Sequence, residues 1–203
     1  MRPSEPFVLG LTGGIACGKT TVARYLHDLG LPVLDADAVS RSLTAENGEA
    51  LPAVREAFGE GVFNGGQLDR RALGQIVFSD PEKRRRLEEI LHPMVIARMK
   101  KATEALEAPI VVWDVPLLYE AGMDAQCGEV WCCYISEAEQ ISRVMRRDGL
   151  PRGEAQARVN SQIPLKEKCE RAAHTIHTAG SLAATRRRVR GLLSELRRRN
   201  GLE

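Results

Sequence analysis

Four groups of residues in this chain have types and spacings that suggest chemistry. The first is Gly13-Gly14-Ile15-Ala16-Cys17-Gly18-Lys19-Thr20, which fits the pattern Gly, four residues, Gly-Lys-Ser/Thr of a phosphate-binding loop. Glycines let the backbone curl until successive N–H groups face one anion, and a helix start adds the positive end of its dipole. Lys19 would reach the β- and γ-phosphates, and the Thr20 hydroxyl would bind a magnesium ion. The four fixed positions co-occur by chance in roughly one such chain in several hundred, so a nucleoside triphosphate is the expected ligand.

The second group is Asp35 and Asp37, and the third is Asp114. Ligands of open α/β sheets sit beyond the carboxyl ends of the strands. Carboxylates placed there, next to a phosphate loop, are candidates for a general base and a magnesium partner. Either Asp35 or Asp37 could instead cap the helix that begins near Ala38. Asp114 ends an apolar run in the position that holds magnesium in phosphate-loop enzymes. The fourth group is Arg143, Arg146 and Arg147, of which Arg143 and Arg147 share one helical face. An arginine-bearing helix–turn–helix here would act as a closing lid that offsets charge on a transferring phosphoryl group.

Elements must hold these groups in place. Phe7–Thr12 reads as a buried strand, and Thr21–Leu29 as a helix with Val22, Tyr25, Leu26 and Leu29 on one stripe. Further strands are expected at 31–34, 110–114, 130–135 and, more weakly, 174–177. The run 130–135 has the continuous apolar character of a parallel strand covered on both faces, with Cys132 and Cys133 as core filling. Residues 39–107 show no clear strand and break into helical pieces. Ser79-Asp80-Pro81-Glu82 reads as a helix start with a Ser/Glu capping box. His92-Pro93 is expected to interrupt that helix. After Asp148-Gly149-Leu150-Pro151-Arg152 a second lid helix should run through Arg158 and Gln162 to Pro164. A C-terminal helix should fill 181–200.

Bulk properties narrow the class. The chain has 203 residues, 43% hydrophobic and 28% charged, which suits one α/β domain with a full core. No run reaches the length of a membrane span, no signal-peptide core opens the chain, and five cysteines form no C-x-x-C pair. A cytoplasmic location is expected, with no membrane, no nucleic acid and no obligatory protein partner. The arginines of 186–199 lack interleaved aromatics, and Leu192, Leu193 and Leu196 give a packing stripe, so they read as a solvated face. No Asn-Lys-x-Asp tetrad occurs, which disfavours a guanine-nucleotide switch and leaves a small phosphotransferase as the stronger reading.

Leu11 to Ile15, Lys19-Thr20-Thr21, Asp35-Ala36-Asp37, Leu68 to Leu73, Leu91-His92-Pro93, Asp114 to Glu120 and Arg143 with Arg147-Asp148 together resemble the dephospho-coenzyme A kinase family. The order and spacing match across nearly the whole chain. The resemblance implies transfer of the ATP γ-phosphoryl to the ribose 3′-hydroxyl of dephospho-coenzyme A, the last step of coenzyme A synthesis, with Mg²⁺. It implies an α/β fold: a doubly wound parallel sheet like that of P-loop nucleoside triphosphate hydrolases, with a helical substrate-binding insertion and a helical lid. One domain would span 6–203, with core 6–38, 108–142 and 170–203, coenzyme-binding insertion 39–107 and lid 143–169.

Carried over by position, Asp37 is the base. Thr12 and Gly13, Gly14, Ile15, Ala16, Cys17, Gly18, Lys19, Thr20 and Thr21 form the nucleotide site, and Arg143 and Arg147 are lid arginines. Arg70, His92, Leu117 and Glu120 lie in motifs near the coenzyme pocket. The chain departs from the family at Ala16 and Cys17, where Gly-Ser is usual. Cys17 stands near a helix N-terminus, where thiolate is favoured, so its oxidation is expected to block ATP binding. Ala173 and Thr178 replace an Asp and an Asn, which relaxes the expected adenine contacts.

Overall fold

The computed structural model describes residues 5–202. Its apolar runs become the strands β1 (Phe7–Gly13), β5 (Ile110–Asp114) and β6 (Glu129–Tyr134), nearly all of whose residues are buried. With the short strands β2 (Val33–Asp35) and β7 (His174–His177) they form one sheet in the order β2-β5-β1-β6-β7. β1 runs parallel to β5 and β6, and β6 to β7: Leu11 lies beside Asp114 and Trp131, and Cys133 beside Ile176. Parallel pairing forces each connection to cross back over the sheet, which is why helices separate the strands. The α/β fold expected from the sequence is the one observed.

Side chains alternate between the two faces of a strand. Leu9, Leu11, Val112, Trp131, Cys133 and Ile176 pack with Val22 and Leu26 of helix α1 (Lys19–Asp28) and with Val189, Leu192, Leu193 and Leu196 of helix α9 (Leu182–Asn200). Cys132, one residue on, turns the other way, and its sulfur lies 3.8 Å from that of Cys169 in helix α8 (Leu165–Arg171). The arginines of α9 do more than meet solvent. Arg199 pairs at 2.7 Å with the nearly buried Glu129, whose other oxygen accepts the Trp131 indole N–H at 2.6 Å. Arg190 donates to the Tyr25 hydroxyl at 3.0 Å. The basic face thus also clamps α9 to the strands it covers.

Contacts divide the chain into two compact units. One comprises the residues up to Leu34 and from Glu104 on, the other Asp35–Thr103. The second unit contains α2 (Ala36–Leu43), α3 (Leu51–Phe58), a two-stranded ladder of β3 (Phe63–Asn64) and β4 (Gln67–Leu68), α4 (Arg70–Ser79) and almost all of α5 (Pro81–Glu104). The ladder corrects the expectation of no strand. Gly65 and Gly66 take φ of 58° and 84°, the left-handed pair that a two-residue hairpin turn needs.

Two helix boundaries also differ from the sequence reading. Asp80, not Ser79, caps α5 by accepting from Glu82 N–H at 3.0 Å and Lys83 N–H at 3.2 Å, while Ser79 ends α4 by bonding back to Gln75. Asp80 wins because its carboxylate is the residue immediately before Pro81 at the helix start. Helix α5 does not stop at His92-Pro93 but continues to Glu104. Burial of Val95, Met99 and Thr103 beyond the proline outweighs the one hydrogen bond that Pro93 removes. Among the described residues no helix is long and apolar enough to cross a membrane.

Candidate active site

The chain leaves β1 at Gly13 and enters helix at Lys19, and the residues between form the turn. Gly13 has no room for a side chain, since a Cβ there would lie 2.6 Å from the Cys133 carbonyl oxygen. Gly18 holds φ of +73° and gives α1 no side-chain cap. No capping side chain therefore competes for the Lys19 and Thr20 amides, while the Thr21 N–H bonds back to Gly18 O at 3.0 Å. Ala16 also holds a left-handed φ of 60°, so a residue with a Cβ occupies a position suited to glycine.

Lys19 ion-pairs with Asp114 at the end of β5, and both side chains are mostly buried. The pair puts an ammonium at the mouth of the loop and orients it with a carboxylate on the adjacent strand. Val115 N–H bonds Leu11 O at 2.9 Å, which locks the two strand ends together. Thr12 is fully buried and donates to the Pro116 carbonyl at 3.1 Å. Thr20 and Thr21 are exposed on the first turn of α1.

Three contacts reach the loop from distant segments. Arg143, on α6 (Glu137–Asp148), donates to the Ala16 carbonyl at 3.4 Å and is steadied by Glu139 at 2.6 Å. Thr178 donates to the Cys17 carbonyl at 2.6 Å, so the residue that departs from the family pattern braces the loop itself. Gln162 accepts the Ile15 N–H at 3.0 Å. Gly14, Gln140, Gln162 and Cys169 border a cavity of about 690 Å³.

Arg147 takes a different place. Its guanidinium forks onto the neighbouring Asp148 at 2.7 and 3.0 Å, and Asp148 also pairs with Arg158 of α7 (Arg152–Asn160) at 2.7 Å. The hydrogen bond from Arg147 holds the Asp148 carboxyl below its usual range. Of Arg143 and Arg147, among the described residues Arg143 alone donates to the loop. Helix α7 ends at Asn160, short of the expected Pro164, and α8 follows as a separate helix. Ending α7 early is what frees Gln162 to face Ile15. Sequence spacing carried no sign of Gln162 or Thr178, because both act across more than 140 residues.

In the second unit Asp35 is the N-cap of α2, accepting from Asp37 N–H at 2.8 Å and Ala38 N–H at 3.1 Å. Asp37 is exposed at the second position of that helix. Arg70 donates to the Arg41 carbonyl at 2.9 Å, and His92 is half-buried on α5. In the first unit Leu117 is exposed. Glu120 is engaged internally with Lys168 at 2.7 Å and with the Ile163 N–H at 3.1 Å.

Cys17 requires a correction. It is 1% exposed, and burial pushes its thiol up to about 11. Desolvation outweighs the helix start and the backbone N–H groups nearby, so the reactive thiolate expected from sequence is not formed.

Loop, lysine and strand-end carboxylate on a parallel sheet define a P-loop α/β nucleotide-binding protein. Residues 7–184 match the family model for dephospho-CoA kinase. A dephospho-CoA kinase from Parasynechococcus marenigrum is 45% identical over 86% of this chain and 88% of its own. The structure of TT1252 from Thermus thermophilus is 39% identical and superposes with a TM-score of 0.82, covering 95% of this chain and 99% of that one. Dephospho-CoA kinase from Campylobacter jejuni, 28% identical, gives a TM-score of 0.71 over 95% of this chain and 98% of its own. The chain belongs to the dephospho-CoA kinase family.

Replacing Ala16 by Gly removes a strained left-handed residue. It should stabilise the protein by about 0.5–1 kcal/mol and raise Tm by about 1–4 °C; a Tm at or below the parent's contradicts this. Cys17 keeps its neutral thiol in the folded state, which favours folding below the ordinary thiol value of 9.0 and is lost as pH rises toward 11. Peptide mapping after iodoacetamide at pH 8 should show Cys17 alkylated about 100-fold more slowly in the folded than in the urea-unfolded chain. Equal rates contradict the assignment.

Proposed function

We propose that the protein transfers the γ-phosphoryl of ATP to the ribose 3′-hydroxyl of dephospho-coenzyme A, the final step of coenzyme A biosynthesis. The observation that carries this reading is the Lys19–Asp114 pair beside the uncapped start of α1, in a chain of this family. The loop amides and Lys19 hold the β- and γ-phosphates of ATP. Phosphoryl transfer requires little covalent chemistry from the protein, so alignment and charge stabilisation carry most of the rate. Arg143, already on the loop backbone, supplies a cation beside the transferring group.

Asp37 accepts the proton of the attacking hydroxyl. Its free side chain suits that role, whereas Asp35 is committed to capping α2. Arg70, His92 and Leu117 face the coenzyme. Magnesium takes one or two protein ligands together with substrate phosphates. Thr20 and Asp114 would hold it, and it would neutralise phosphate charge. The second unit is the coenzyme-binding part, and α6 with α7 forms the lid.

Incubation with MgATP and a panel of acceptors should yield 3′-phosphorylated dephospho-coenzyme A, identified by mass and position. Transfer to nucleoside monophosphates instead, or no transfer, contradicts the reading. Asp37→Asn should lower kcat by roughly 10²–10⁴ with ATP affinity nearly kept, and an unchanged kcat rejects Asp37 as the base.

A further inference from the structure

One buried cation has no part in this scheme. The Lys168 side chain is 0% exposed, although lysine is almost never fully buried unless paired. Its ammonium lies 2.7 Å from Glu120 Oε1 and donates to the Pro116 carbonyl at 3.1 Å. Each acceptor also serves a second segment. Glu120 Oε1 takes the Ile163 N–H at 3.1 Å, and Pro116 O takes the Thr12 hydroxyl at 3.1 Å. The peptide that supplies the Ile163 N–H begins at Gln162, whose own side chain accepts the Ile15 N–H at 3.0 Å. A single ammonium thus ties together the end of β1, the turn two residues past Asp114 and the segment resting on the phosphate loop. An apolar side chain of similar length would fill the space without desolvating a charge, so packing alone does not account for a lysine here.

We infer that Lys168 is a positioning residue for phosphoryl transfer. Through Glu120 it fixes the 162–163 peptide and so keeps Gln162 on the Ile15 amide. Through Pro116 it fixes the turn that follows Asp114. Glu120 then serves as the relay between Lys168 and the loop, not as a contact to the coenzyme. Small displacements of a loop that aligns a reacting group are costly, and about 1 Å lowers rates on the order of 100-fold.

The test uses Lys168→Met/Glu120→Gln, which leaves no unpaired buried charge, together with Gln162→Leu and the three changes combined. Turnover is measured at saturating MgATP and dephospho-coenzyme A, KM for ATP is measured separately, and exchange of the Ile15 amide is followed by NMR without substrate. The parent's own turnover checks the activity independently. Each variant should lose about 10–100-fold in kcat with KM for ATP within about threefold. The combined variant should be no worse than about threefold below the poorer of the two. Ile15 exchange should accelerate at least about tenfold in each. Parent-like kcat in either variant, losses that multiply, or unchanged Ile15 exchange overturns the proposal. So does failure of the Lys168 variant to fold, which assigns the residue to stability alone.

Discussion

A loop that is to grip a polyanion through its main chain must leave its amides unspent, and it must be held open by something other than those amides. That constraint organises the first unit. Gly18 gives α1 no cap, and the loop is supported from its carbonyls and flanks: Thr178 on the Cys17 carbonyl, Arg143 on the Ala16 carbonyl, Thr12 on Pro116. Two loop amides are spent inside the chain, that of Ile15 on Gln162 and that of Cys17 on the Gly14 carbonyl. Asp114 on the next strand neutralises Lys19 and aims it.

The sheet follows from the same requirement. Asp114 can meet Lys19 only if β5 lies directly beside β1 and runs parallel to it, with both ends at one edge. Cys133 presses on Gly13 from the strand on the other side, which excludes a Cβ and sets how tightly the chain must turn. Continuous apolar character in β6 then reflects cover on both faces, by α1 and α9 on one and α8 on the other.

What could be read from sequence was what depends on local pattern. The strands β1, β5 and β6, the loop, α1, α6 and α9 all announce themselves by apolar runs, periodicity and caps such as Ser136 and Ser181. Sequence alone cannot tell which of Asp35 and Asp37 caps α2, because two carboxylates stand at one strand end, and only the hydrogen bonds from Asp37 N–H and Ala38 N–H identify Asp35 as the cap. Pro93 misled because its local penalty is real but smaller than the burial beyond it. Cys17 misled in the opposite way: its helix-start position is visible in sequence, and its burial is not. Gln162 and Lys168 have no local signature, and the sequence marks Thr178 only as a replaced Asn, not as a brace for the loop. Their roles exist only once residues more than 50 positions apart meet.

The departures from the family pattern now have physical content. Ala16 adopts a left-handed backbone despite its Cβ, Cys17 fills the core beneath the loop, and Thr178 holds the loop by a hydroxyl. Each preserves the curl by a different contact. The central claim is that this curl and one ammonium bind the triphosphate. Calorimetric titration of Lys19→Met with MgATP tests it most directly. The account predicts affinity weakened by about 100-fold or more, the loss of a charge-assisted phosphate contact, in a chain whose circular dichroism shows it still folded although the unpaired Asp114 lowers its melting temperature. Unchanged affinity in the folded variant would contradict it.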